Sequence, residues 1–240
     1  MVEGLPGVGN VGRLCARHLI RTFEGEKVAD MYSTAFPHQV RTLADGTLAR
    51  MGNEIHLVRS GVDMLILSGQ MQPLPTDFQS HYRMAGEILD FCRRAGVEML
   101  ITVGGYSSKP EDPDSPRVYR AASNLRIRER IDGLGLDLSD PETGTPIVGA
   151  SGLLPALAPE WGIDSVCLLG ETESEIKPDV GAARAVLSRI SGILDVEIDP
   201  SGIEDSAADI EEEVDSLVRR IQQLGKIKLS LGDTAEDYIH

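Results

Sequence analysis

The feature that most constrains the fold is an alternation of short apolar segments with longer amphipathic ones. The segments DMLILS (63–68), EMLITV (98–103) and IDSVCLL (163–169) are nearly continuous apolar runs, which is typical of strands buried on both faces of a sheet. Between them, segments such as 76–95 carry apolar residues every three or four positions, the spacing of a helix that packs on a sheet. Strands that alternate with helices predict an α/β sheet covered by helices on both faces.

The same patterns predict the other elements. Helices are predicted over 12–23, 76–95, 124–132, 151–161, 179–194 and 206–224, and further strands over 27–32, 54–59 and 117–122. In the helix over 76–95, which Thr76 or Asp77 is expected to cap, one buried face is predicted for Phe78, Tyr82, Ala85, Ile88, Leu89 and Cys92. The Asp-Gly signal in Ala44-Asp45-Gly46 predicts a hairpin over 38–51, which would make the sheet mixed rather than purely parallel. A single domain is expected over 1–224, followed by a flexible tail over 225–240.

Composition restricts the class of partner. The net charge is −15 at pH 7, which opposes binding to nucleic-acid phosphates. No apolar run approaches the roughly 18 residues of a membrane span, and the start of the chain lacks the layout of a signal peptide. A cytoplasmic protein that binds neither nucleic acid nor membranes is therefore expected. The widely spaced Cys15, Cys92 and Cys167 are expected to be buried, reduced thiols.

The stretch GLPGVGNVG, at positions 4–12, has the G-x-G-x-x-G spacing of a dinucleotide-binding loop in Gly7, Gly9 and Gly12. A helix follows, and Asp30 lies at a suitable distance for the acidic residue of such a site. However, only three residues precede the stretch as a strand, and Pro6 removes one backbone donor. Two interpretations stay open: the loop binds phosphate or a nucleotide, or its small residues let the helix pack closely on the sheet.

A second glycine-rich segment, GGYSSKPEDPDSP, is predicted to be a loop over 104–116. Gly104 and Gly105 permit close backbone approach, and Tyr106 supplies an amphipathic ring. These residues could form a ligand cleft with Gly7 and Gly149, because their loops are expected to emerge near strand ends. The alternative is tight turns in a densely packed sheet.

Residues suited to catalysis are scattered along the chain. The histidines have no metal-binding spacing, and Ser151 misses the G-x-S-x-G elbow by one position, so it is expected to cap a helix. Glu171 and Glu173 follow a predicted strand end, as solvated loop acids or as lining of a pocket. The sequence therefore predicts no catalytic residue, no metal ligand and no cofactor.

Several blocks of sequence resemble, in order, the proteasome-assembly-chaperone family in its archaeal and bacterial branch, the homologues of the second eukaryotic proteasome assembly chaperone. They are GLPGVGNVG (4–12), LILSGQMQPLP (65–75), ITVGGYSS (101–108), VYRAASN (118–124), IVGASGLLPALAPEWGI (147–163) and VCLLGET (166–172). The resemblance covers nearly the whole chain. It implies a three-layer α/β/α sandwich of the phosphorylase/hydrolase-like type, assembly as a homo-oligomer or with a paralogue, and no established catalytic activity.

The resemblance also implies a partner, because archaeal relatives engage the proteasome α-ring through a C-terminal hydrophobic–Tyr–any motif. Here the last residues are Tyr238, Ile239 and His240, so the tyrosine is third from the end and the motif is not met as it stands. Either Tyr238 and Ile239 insert in a shifted register, or the tail is incidental.

The expected function is that of a non-enzymatic, oligomeric, proteasome assembly chaperone-like protein that binds proteasome α-subunits or the α-ring. The alternative is a ligand-binding enzyme on the same scaffold, with phosphate or a nucleotide at the glycine-rich loop of residues 4–12.

Overall fold

Strands and helices alternate along the chain in a computed structural model, which describes residues 1–37, 40–43 and 45–216. The strands are β1 (Val2–Gly4), β2 (Glu26–Met31), β3 (Val40–Thr42), β4 (Leu48–Arg50), β5 (Asn53–Arg59), β6 (Asp63–Gly69), β7 (Met99–Ser107), β8 (Val118–Ala122) and β9 (Asp164–Thr172). The helices are α1 (Val11–Thr22), α2 (Phe78–Arg94), α3 (Leu125–Asp132), α4 (Ala150–Leu157), α5 (Val180–Leu194) and α6, which is described over 203–216. The predicted helices and strands thus occur in the predicted order.

The main sheet has seven strands in the order β2-β5-β6-β1-β7-β9-β8. The inner strands β6, β1, β7 and β9 are parallel to one another, whereas β2, β5 and β8 add antiparallel pairs at the edges. The predicted mixed sheet is confirmed, but the reason given for it was wrong. The predicted hairpin forms as β3 and β4, which make a separate two-stranded sheet, so it contributes nothing to the mixed character of the main one.

The short strand β1 lies at the centre of the sheet, although the sequence offers only three residues for it. Val2 pairs in parallel register with Ile66 of β6 and with Ile101 of β7. In a strand with partners on both sides, the neighbouring strands form hydrogen bonds with the backbone N–H and C=O groups. The stability of such a strand therefore does not depend on its own length. Val2 is also fully buried, which adds apolar contact to this pairing.

Two apolar clusters cover the two faces of the sheet. On one face, Leu14 of α1 packs in a cluster with Val186 of α5 and Ile210 of α6. On the other face, Leu89 of α2 packs in a cluster with Leu154 of α4. The arrangement is the three-layer α/β/α sandwich that the resemblance implies.

The first turns of α2 differ from the prediction. Asp77 caps the helix, since its side chain accepts a hydrogen bond from the backbone N–H of Ser80 at 3.1 Å. The predicted buried face is correct for Ala85, Ile88, Leu89 and Cys92. Phe78 and Tyr82, however, are 72% and 60% exposed, and the buried residues of the helix begin at Met84. Helical periodicity identifies a face, but it does not show where the layer beneath that face ends.

Two further predictions concern the C-terminal tail and membrane-spanning helices. The predicted boundary at residue 224 and the predicted tail over 225–240 lie outside the described residues. Within the described part of the chain, no helix combines the length and the apolar character that crossing a membrane requires.

The packing of α1 on the sheet depends on Gly12. A Cβ atom at this position would overlap the carbonyl oxygen of Val103 in β7 and would lie 3.3 Å from the Cα of Gly4. The helix backbone therefore lies directly on two strand backbones. Any side chain at Gly12 would have to push these elements apart.

We expect Gly12→Ala to lower the free energy of unfolding by about 1–3 kcal/mol, the usual range for overpacking a core. Gly86→Ala is the matched control, because a Cβ at Gly86, in the middle of α2, meets no atom within 4 Å. That change should raise stability by up to about 1 kcal/mol through helix propensity. Urea unfolding of both variants measures the difference, and equal effects would contradict the packing role of Gly12.

Candidate functional site

A cleft of about 640 Å³ opens at the carboxyl ends of β1 and β7. The chain leaves β1 towards β2 at one edge of the sheet, and it leaves β7 towards β8 at the other edge. Neighbouring strands whose connections leave in opposite directions form a crevice, and ligands of open α/β sheets bind at such crevices. Strand order alone therefore makes this cleft the first candidate for a binding site.

Residues from both glycine-rich segments line this cleft. The structure brings together the five residues that were predicted to form a ligand cleft, namely Gly7, Gly104, Gly105, Tyr106 and Gly149. The predicted loop over 104–116 was wrong in its first four residues, because Gly104 to Ser107 continue β7 and pair with Leu169 to Thr172 of β9. Gly105 allows a close approach here, since a Cβ on it would overlap the carbonyl oxygen of Val8.

Gly9 and Gly12 lie outside the lining of the cleft. The backbone N–H of Gly9 donates to the carbonyl oxygen of Glu175 at 3.3 Å, and its own carbonyl accepts from the N–H of Asp179 at 2.9 Å. The segment 175–179 thus lies against the turn where a phosphate would have to approach. These contacts describe packing, and a ligand role for Gly9 and Gly12 stays a prediction.

Asp30 does not accompany the glycine-rich loop. It lies on β2, which β5 and β6 separate from β1, and its carboxylate accepts a hydrogen bond from Lys27 at 3.1 Å. A dinucleotide site needs its acidic residue on the strand beside the loop, so the spacing in the sequence was misleading.

Glu3 of β1 lines the cleft, and sequence analysis did not single it out. Its side chain is buried, and Oε1 accepts a hydrogen bond from the backbone N–H of Leu5 at 2.9 Å. Oε2 is also buried and has no hydrogen-bond partner among the described residues. Burial raises the pKa of Glu3 to about 8, so the carboxyl group is protonated at neutral pH. One signal was available, since Glu3 is a lone acid between an apolar residue and the glycine-rich stretch.

Gln72 joins the two walls of the cleft. Its Nε2 donates to the carbonyl oxygen of Pro6 at 2.6 Å, and its Oε1 accepts from the N–H of Ala150 at 3.0 Å. The segment after β1 is therefore tied to the start of α4. The predicted cap of this helix was wrong, because Gly149 is the N-cap, with φ +86°, and Ser151 lies inside the first turn. A left-handed φ favours glycine at this position, where a serine cap would be strained.

Tyr106 rests on a buried polar cluster. Its ring lies 4.3 Å from the ring centroid of Tyr119, whose hydroxyl donates to Glu171 at 3.2 Å. Arg117 donates from Nη2 to Oε1 of Glu171 at 2.9 Å and from Nε to Oε2 at 3.2 Å. Burial alone would raise the pKa of Glu171, but its hydrogen bonds to Arg117 outweigh burial and lower it. Glu171 is therefore a buried structural carboxylate of β9, and Glu173 is exposed.

The three thiols are free and buried, as predicted. Burial raises the pKa of Cys92 to about 11 and that of Cys167 to about 12, and it also raises that of Cys15. These thiols stay protonated at neutral pH, where only a thiolate is a strong nucleophile. In the described ranges, no cluster of three or more His, Cys, Asp or Glu side chains is arranged to hold a metal ion.

Comparison with known proteins identifies the family. Residues 1–218 match the PAC2 family. The chain belongs to this family. The resemblance of the sequence blocks to the proteasome-assembly-chaperone family is thus confirmed. Of the six PAC2-like blocks, five contribute lining residues to the cleft.

Individual PAC2 relatives agree with this assignment. The chain is 35% identical to PbaB of Pyrococcus furiosus, described as an archaeal proteasome activator, with a TM-score of 0.79 over 92% of each chain. It is 31% identical over 237 residues to an uncharacterized protein of Methanocaldococcus jannaschii, covering 99% of this chain and 90% of that protein. PbaA of Pyrococcus furiosus, described as an archaeal homologue of a proteasome-assembly chaperone, has a TM-score of 0.73 at 22% identity, over 93% of this chain and 94% of PbaA. The similarity to PbaA shows the fold alone.

Glu3 makes stability depend on pH. Its pKa rises from an ordinary value of 4.5 to about 8 on folding, so the folded protein holds a proton that the unfolded chain has released. The free energy of unfolding should therefore fall as pH rises from about 5 to 8. Glu3→Gln keeps the shape of the neutral acid without this proton, so the variant should become progressively more stable than the wild type over this range. Urea unfolding at several pH values measures both curves, and parallel curves would contradict the protonated state.

Glu171 should act in the opposite direction. Its pKa is lowered in the folded protein. The contribution of Glu171 to the free energy of unfolding is therefore complete above the ordinary carboxylate pKa, and it is lost as pH falls through the pKa of the folded state. At pH 7, Glu171→Gln should lower the free energy of unfolding by about 2 kcal/mol, because charge-assisted hydrogen bonds are weakened. The free energy of unfolding of this variant should also decrease less steeply than that of the wild type as pH falls. The exposed neighbour Glu173 supplies the control, because Glu173→Gln should change stability by less than about 0.5 kcal/mol. A similar loss in both variants would show that Arg117 does not hold Glu171.

Proposed function

We propose that this PAC2 protein is a non-enzymatic binding protein that self-associates and binds the α-subunits of the proteasome in the cytoplasm. Family membership supports a role like that of the proteasome assembly chaperones. PbaB, which is described as a proteasome activator, supports a proteasome-related partner, because it is similar to this chain over almost its full length.

The observation that carries this proposal is an exposed apolar surface, which we name the α2 patch. It consists of Leu74, Phe78 and Tyr82, which are 68%, 72% and 60% exposed. Phe78 and Tyr82 are four residues apart, so they share one face of the helix. Exposed aromatic side chains that share a helix face are typical of protein–protein interfaces, whose cores are enriched in aromatic residues, and the exposed Leu74 precedes them in the chain.

Two polar side chains near the cleft, Glu171 and Thr102, are engaged in structural contacts, which favours binding over catalysis. Glu171 accepts hydrogen bonds from Arg117 and Tyr119, and the hydroxyl of Thr102 donates to the carbonyl oxygen of Ser151 at 2.7 Å. The alternative of an enzyme with phosphate at the glycine-rich loop has less support. The N–H of Gly9 already has a partner, and within the described ranges the lining of the cleft includes no lysine or arginine.

The predicted contribution of the tail remains part of this proposal. Tyr238, Ile239 and His240 lie outside the described residues. In the proposal, the aromatic and aliphatic side chains of Tyr238 and Ile239 bind the α-ring as anchors in addition to the α2 patch.

A pulldown with purified proteasome α-subunits tests the proposal, with light scattering after size exclusion to measure self-association. The double variant Phe78→Ser/Tyr82→Ser should lose binding or self-association by about tenfold or more, as expected for aromatic anchors. Leu125→Ser is the matched control, because Leu125 is 72% exposed on a different helix, α3. It should leave both properties unchanged.

Three results separate the parts of the proposal. A full-length protein that remains monomeric and captures no α-subunit would refute it. Equal capture by the full chain and by a chain cut after Glu236 would remove the tail alone. Equal losses in the patch variant and the Leu125→Ser control would remove the α2 patch.

A further inference from the structure

Glu3, which lines the cleft between β1 and β7, carries an unsatisfied polar atom. Its Oε2 is buried and has no hydrogen-bond partner in the part of the chain that the structure describes, while Oε1 accepts from the N–H of Leu5. Buried polar atoms in folded proteins nearly always have partners, so an unpartnered one on a residue that lines a cleft is a position that a ligand atom can satisfy. An unpaired buried group also costs free energy, which a ligand would recover on binding.

The proton of this carboxyl group has one suitable location. Oε1 already accepts a hydrogen bond from a backbone N–H, so the acidic proton is best placed on Oε2. Burial in apolar surroundings favours the neutral acid over the carboxylate. At neutral pH, Glu3 therefore presents an O–H donor that needs an acceptor.

The walls of the cleft restrict the ligand further. They consist mainly of glycine backbone, prolines and apolar side chains such as Leu5, Val103, Ile147 and Leu169, with a minority of polar side chains that includes His81. Neither lysine nor arginine occurs among the described residues that line it, so His81 is the one side chain of this lining that can offer a phosphate or carboxylate a positive charge. The volume of about 640 Å³ lies within the range of small-molecule sites, about 300–1,000 Å³.

We infer that this cleft binds a small uncharged molecule with an apolar body and a carbonyl oxygen, which accepts a hydrogen bond from Oε2 of Glu3. Gln72 and Gly149 hold the opposite wall, since Gln72 ties the segment after β1 to the start of α4. A positively charged ligand would fit less well, because it would require Glu3 to ionise inside the apolar cleft. The inference stands apart from the proposed proteasome binding, because it concerns a different group of residues.

Benzamide is the probe for this site, and benzoate and benzylamine are its charged counterparts of similar size. Titration calorimetry with the wild-type protein should show benzamide binding about tenfold or more tightly than either charged probe, the ratio that a hydrogen bond of about 1.4 kcal/mol corresponds to. Glu3→Gln keeps a neutral donor and should bind benzamide with affinity close to that of the wild type. Glu3→Leu removes the donor and should weaken binding by about tenfold.

A matched pair of leucine variants tests the location. Gly7 has an extended backbone with φ −166°, and a Cβ there meets no atom within 4 Å, so Gly7→Leu should fill the cleft without strain. Gly86→Leu adds the same side chain on α2, in a position that is equally open and away from the cleft lining. Benzamide binding should be lost in Gly7→Leu and kept in Gly86→Leu.

The dependence on pH gives a readout that packing alone would not produce. Binding by the wild type should weaken as pH rises above about 8, because the donor on Glu3 is then lost. Binding by Glu3→Gln should not change, although this variant keeps His81 and Tyr106, the other titratable side chains among the described residues that line the cleft.

Any of four results would overturn the inference. These are an absence of benzamide binding, a preference for benzoate or benzylamine, equal binding by the two leucine variants, and binding of benzamide by Glu3→Leu as tight as that by the wild type.

Discussion

The direct contact between backbones at β1, β7 and the turn that follows β1 is the constraint on which the rest of the structure depends. β1 pairs with strands on both sides, and α1 lies so close above it that Gly12 approaches the carbonyl oxygen of Val103. Gly105 allows a similar approach of Val8 from the following turn. Side chains at these glycines would separate the helix layer from the sheet, and both the core and the cleft would lose their shape.

The same contacts account for the appearance of a dinucleotide-binding motif. Its glycines have different surroundings in the structure: Gly12 packs against the sheet, Gly9 is covered by the segment 175–179, and Gly7 faces the cleft. A spacing that is typical of phosphate binding is thus also compatible with a helix packed tightly after a central strand. The position of Asp30 on a distant strand distinguishes this loop from a dinucleotide-binding loop, because strand order decides which residues lie near the loop.

Two features of this end of the molecule lie close together in the chain. The α2 patch begins at Leu74, between Pro73 and Pro75, and both prolines line the cleft. The end of α2 that carries Phe78 and Tyr82 also contributes His81 to the lining. A partner that covers the α2 patch would therefore lie next to residues that line the cleft. Ionisable groups here serve structure, as in the pair of Glu171 and Arg117, or remain neutral, as in Glu3.

Local patterns in the amino-acid sequence were enough to predict the order and type of the helices and main strands, the family, and the buried face of α2 from Ala85 onwards. These features depend on local periodicity and on short blocks, which are readable without knowing the partners of each segment. Four features follow from tertiary contacts. They are the central position of β1, the separate hairpin of β3 and β4, the exposure of Phe78 and Tyr82, and the Glu3 oxygen that has no hydrogen-bond partner among the described residues. Each of them depends on which distant segment lies next to the residue or fails to reach it, and a linear pattern does not contain that information.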